Sequence, residues 1–158
     1  MKEVILAAAY WLHLTATIVW IGGIAFILFI AIPSAKQVLG GEAGKLMAEI
    51  SRRFTPSVNY SIILLIVTGI ALTGLNKQFI GIGNFGNNWT LTLTLKHLLV
   101  LGMIVIHFYR GLMLATKIAR TESVAGKTSL QKFSLNLVRV NFCLGMLVLL
   151  LSGITSVL

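Results

Sequence analysis

Long apolar runs separated by short polar segments organise this chain. Four stretches reach the roughly 20 apolar residues that cross the hydrocarbon core of a bilayer: residues 4–32, 58–75, 91–115 and 133–157. The first stops at Pro33, and the second opens at Thr55-Pro56-Ser57, a helix-start signal. None alternates apolar and polar positions as a strand would. In lipid only helices and closed barrels satisfy the backbone. The pattern therefore predicts an all-α integral membrane four-helix bundle, a single transmembrane domain over residues 1–158. The first run is far longer than the apolar core of a signal peptide and is expected to be a retained helix.

Composition agrees. The chain is 57% hydrophobic and 11% charged, against about 25% charged in a soluble domain, so it cannot dress a water-facing surface. Its balance is +9, with 13 Lys+Arg against 4 Asp+Glu. In a soluble protein that would suggest nucleic acid. Here the cations sit between apolar runs and read as topology signals and lipid headgroup contacts, with no nucleic-acid partner expected. Loops 34–54 and 116–132 are basic and have room for short interfacial helices, whereas 76–90 is rich in Gly and Asn, among them Gly83 and Asn84. One side gathers Lys36, Lys45, Arg52, Arg53, Arg110, Lys117, Arg120, Lys127, Lys132 and Arg139; the other has Lys2, Lys77 and Lys96. The positive-inside rule puts the basic loops in the cytoplasm and both termini outside, in a prokaryotic-type plasma membrane. The lone Cys143 makes no internal disulfide and says nothing of redox compartment.

An approximate repeat runs through the chain. Thr68-Gly69-Ile70 in the second run is echoed by Ser152-Gly153-Ile154 in the fourth, and His13 in the first by His97 in the third. Arg53 and Asn59, then Arg139 and Asn141, precede the two small-residue motifs. Two hairpins of one orientation, related by an axis along the membrane normal, would give this pattern. The spacings do not all match.

All three histidines fall inside predicted spans, where an ionisable residue is a functional candidate by default and packing glue is the alternative. At about 1.5 Å per residue, His13 and His97 lie about 13 and 9 Å from the outer ends of their helices, and His107 about 15 Å deeper than His97. Facing imidazoles in a four-helix bundle hold haem iron, and histidine also binds copper. The matched depths make His13 and His97 the expected axial ligands of a haem b, with copper as the alternative. Lys96 either snorkels to the interface or pairs with a haem propionate or substrate carboxylate. Trp20 walls a cofactor pocket or packs the core. Arg110 and Arg139 bind propionates or anionic lipid, or snorkel. His107, Cys143, Met103 and Met146 form a second, softer set that would suit Cu(I). Glycines spread over all four runs allow close helix approach and association with a second copy or a larger redox complex. No nucleotide loop, nucleophile triad or carboxylate pair is present, and Glu3, Glu42, Glu49 and Glu122 lie at an end or in loops.

The segment from His13 through Trp20-Ile21-Gly22-Gly23 to Pro33 resembles the CopD-type copper resistance and uptake proteins, as does Arg53-Phe54-Thr55-Pro56 followed by Thr68-Gly69. Lys96 followed by His107-Phe108-Tyr109-Arg110-Gly111 is similar to the HemJ-type protoporphyrinogen oxidases, small four-helix membrane proteins that bind haem b. That second resemblance implies functional roles for His13 and Lys96, with Lys96 a rival to His97 as a ligand. Three readings follow: a haem b protein of redox or electron-transfer function, a copper transport or tolerance protein, and a non-catalytic subunit of a larger complex.

Overall fold

A computed structural model describes residues 1–76, 79, 81 and 86–158. Lys77, Gly83 and Asn84, which enter the charge count and the Gly/Asn loop above, lie outside the described residues. Every regular element among the described residues is helical. Three helical stretches are long and apolar enough to cross a membrane: Lys2–Gly74, Asn88–Arg120 and Val124–Val157. Residues such as Leu14, Ile18, Ile63, Val67, Leu98, Leu101, Val105 and Leu150 are exposed along them. An apolar surface this continuous belongs in lipid rather than water. The chain is a helical membrane protein.

The chain divides into two compact units, Met1–Phe79 and Ile80–Leu158. In the first, α1 (Lys2–Thr17), α2 (Gly23–Phe26) and α3 (Ile32–Leu39) form one continuous run, joined by π-helical turns at Ile18–Gly22 and Ile27–Ala31. A 3₁₀ turn, Gly40–Glu42, then leads into α4 (Ala43–Gly74). A straight rod of 73 residues would be about 110 Å long. His13 and Thr68 are nevertheless 2.7 Å apart, atom to atom, so the chain folds back on itself. The reversal falls at Gly40, whose φ of 50° is a conformation that side chains resist. The returning helix is antiparallel, since Gly23 meets Phe54 while His13 meets Thr68.

The helices outrun the apolar stretches. The expected stop at Pro33 is not observed: helix continues to Leu39. Proline lacks an N–H and crowds the carbonyl four residues back, and the wide turn at Ile27–Ala31 lies where that clash falls. Wide turns of this kind are a known way of absorbing such a defect. Likewise α4 begins at Ala43 rather than near 58 and carries Pro56 in its interior.

In the second unit, α5 (Asn88–Phe108) is capped by Asn87, whose side chain accepts from the Thr90 amide at 2.7 Å. A π-helical turn, Tyr109–Leu114, leads to α6 (Ala115–Arg120). Ser123 caps α7 (Val124–Val157), which returns antiparallel to α5. Helical hydroxyls are kept quiet in the apolar medium by bonding back to the carbonyl four residues earlier. Thr17 donates to His13, Ser61 to Ser57, Thr94 to Thr90 and Ser152 to Val148, all within 2.8–2.9 Å.

Candidate functional site

His13 stands half-buried on α1, against α4. Its Nδ1 is 2.7 Å from Thr68 Oγ1, and the Thr68 hydroxyl donates to the Leu64 carbonyl at 2.6 Å. The next residue, Gly69, leaves the ring room: a Cβ there would stand 3.8 Å from His13 Cε1. The main chain is also tied down, because Thr17 donates its hydroxyl to the His13 carbonyl. Trp20 follows on the π-helical turn and is 2% exposed. Thr68 is visible in the sequence as part of a repeated motif. That it meets His13 is not, because depth alone does not give the rotation of two helices.

In the second unit Lys96 is half-buried and its neighbour His97 is exposed, with His97 Nδ1 2.7 Å from the Leu93 carbonyl of its own helix. Counting about 100° per residue, Lys96, Met103 and His107 share one face of α5 with the buried Leu93, and His97 lies toward its other edge. His107 is half-buried, with its ring edge-on to Phe108 at 5.3 Å. Arg110 donates to Ser134 Oγ at 3.2 Å, a partner the sequence reading missed. Arg139 is exposed and reaches Asn136 Oδ1 at 3.2 Å.

The softer set differs in exposure from member to member. Met103 is 1% exposed, whereas Met146 and Cys143 are exposed. Among the described residues, no three His, Cys, Asp or Glu side chains come together as a metal cage. Two side-chain atoms are buried without a hydrogen-bond partner among the described residues, Thr90 Oγ1 and Asn141 Oδ1.

Toward the basic loop, Glu49 gathers two guanidinium groups. Arg52 Nε and Nη2 donate to it at 2.9 and 2.8 Å, and Arg53 Nε donates at 2.7 Å. These bonds, with the attraction of Arg52, hold the Glu49 carboxyl down at about 2 and push the Arg52 guanidinium above its ordinary value.

Long apolar helices, folded back as a hairpin in each unit and carrying ionisable side chains along their length, define a polytopic membrane protein. The family model of copper resistance protein D, CopD, matches residues 48–155, well over half of the chain. The chain belongs to the CopD family. The matched segment starts within α4 and contains Thr68, Lys96, His97, Met103, His107, Arg110, Arg139, Cys143 and Met146; His13 precedes it. No curated protein and no solved structure matches the chain.

Proposed function

We propose that this protein handles copper at a prokaryotic-type plasma membrane, as a transport or tolerance protein with copper as its cargo. The observation that carries this reading is the family match over residues 48–155. It favours copper over the haem b expected from matched histidine depth, for which the family match offers no support. The HemJ-type likeness in the third run stands as a resemblance only.

The donor set suits a passing ion better than a resident one. Imidazole nitrogens and thioethers are the ligands that copper prefers, and among the described residues no three His, Cys, Asp or Glu side chains form a cage. His13, held by Thr68, is the best-oriented donor. The chain crosses the membrane four times in this proposal, the stretch Lys2–Gly74 contributing two crossings through its reversal at Gly40. Both termini lie outside. The two hairpins are read as one repeated unit, and the basic loops meet anionic lipid headgroups on the cytoplasmic face.

The test is a copper challenge of cells expressing the chain or its His13→Ala variant, with cell copper measured directly. The expected result is a copper content that differs from non-expressing cells and returns to their level in the variant. Purified protein showing a haem Soret and α band, with cell copper unchanged by expression, would overturn this reading and restore the haem one.

A further inference from the structure

We propose that Thr68 is a positioning residue that fixes which nitrogen of His13 is offered to a metal ion. A single proton decides the matter. A threonine hydroxyl carries one hydrogen and two lone pairs. Thr68 Oγ1 has two polar neighbours, the Leu64 carbonyl oxygen at 2.6 Å and His13 Nδ1 at 2.7 Å. The carbonyl can only accept. Two oxygens at 2.6 Å with no proton between them would repel, so the hydroxyl hydrogen lies on the Leu64 side. A lone pair of Oγ1 then faces the imidazole, and Nδ1 must bring the proton to that contact. His13 is therefore protonated on Nδ1, and in its neutral form Nε2 holds the ring's lone pair. The tautomer of an imidazole is set by the bond its other nitrogen makes, and this second partner is what orients a metal-binding histidine.

His97 provides an internal comparison. Its Nδ1 lies 2.7 Å from the Leu93 carbonyl, which again can only accept. It too is protonated on Nδ1. His97 follows His13 at the same interval as Ser152 follows Thr68. Yet Ser152 donates to the Val148 carbonyl, and His97 turns to its own helix instead. A backbone carbonyl sets His97 and no side-chain substitution removes it. His13 is set by a side chain from the returning helix of its hairpin, so there the device can be taken out.

The consequence for metal rests on the copper reading above; the tautomer does not. The experiment uses the full chain in lipid nanodiscs, labelled with ¹⁵N-histidine, and the His13 signals are assigned by their loss in His13→Asn. The expected spectrum has a protonated Nδ1 and an unprotonated Nε2. Thr68→Val keeps the shape and removes the acceptor. It should lower the share of the Nδ1-protonated tautomer and weaken binding of Cu(I), presented alone against a competing chelator, by about 10- to 100-fold. Thr68→Ser should restore both. A wild-type His13 protonated on Nε2, or on both nitrogens, overturns the proposal whether or not the valine variant folds. So does a Thr68→Val protein with an unchanged tautomer. The expected tautomer without any Cu(I) binding upholds the fixing of His13 and removes the copper reading.

Discussion

The ring of Phe54 occupies the space that a side chain on Gly23 would need. Gly23 opens the short α2 helix after the wide turn at Ile18–Gly22, and Phe54 comes from α4 on its way back. Without a hydrophobic effect between helices in lipid, such close approach is what packs them. Gly23→Ala puts a methyl into the ring and should cost about 1–3 kcal/mol by overpacking. Thermal unfolding in detergent checks it. Phe54→Leu in the same chain should recover part of the loss, and no recovery would mean that the two residues do not share the strain.

Acid should loosen the start of α4. The Glu49 carboxyl falls from an ordinary 4.5 to about 2 in the folded chain. A depressed carboxyl contributes stability above its unfolded value and loses it as pH falls through the folded one. The window is thus from about 4.5 down to about 2. The group is solvent-exposed, so the effect is small and fades with salt. Amide exchange in the stretch of α4 around Glu49, Arg52 and Arg53 should speed up on acidification through this window. In Glu49→Gln it should be fast already at neutral pH.

Orientation is open to a direct measurement. In a Cys143→Ser background, an Asn84→Cys chain should react with a membrane-impermeant maleimide in intact cells, and a Glu122→Cys chain only after the membrane is opened. The expectation rests on the cation bias between the two sets of loops. The reverse pattern of labelling would turn the protein over in the membrane.

Hydropathy makes the membrane character legible but not the ends of the helices. An apolar run reports where lipid is, whereas a helix ends where its backbone bonds end. Loops 34–54 and 116–132 read in the sequence as loops with room for short interfacial helices, and α3, α4, α6 and α7 extend through much of them. Pro33 and Pro56 look like boundaries because each removes a backbone bond, but a wide turn before Pro33 and the length of α4 carry the helix past them. Spacing along α5 places Lys96 and His97 about 100° apart, but not which of the two is the less exposed. Lys96 is, although matched depth favours His97. The partnership of His13 with Thr68 is out of reach for a related reason. Two residues 55 apart in sequence meet only once the rotation of both helices is known.

Asn141 poses the sharpest stability question in the second unit. It is 4% exposed on α7, on the face it shares with Val138, Gly145 and Val148, and its Oδ1 finds no hydrogen-bond partner among the described residues. A buried acceptor left unmade costs about 1–3 kcal/mol. Shortening the side chain to alanine removes that cost and leaves a cavity of a few atoms, which costs a similar amount. Asn141→Ala should therefore unfold within a degree or two of the parent. Val148→Ala, which loses only packing, should be lower by about 1 kcal/mol. A large loss in Asn141→Ala alone would mean that Oδ1 is satisfied in the membrane by a group beyond the described residues. Copper binding measured on that variant would then say whether the group is the cargo.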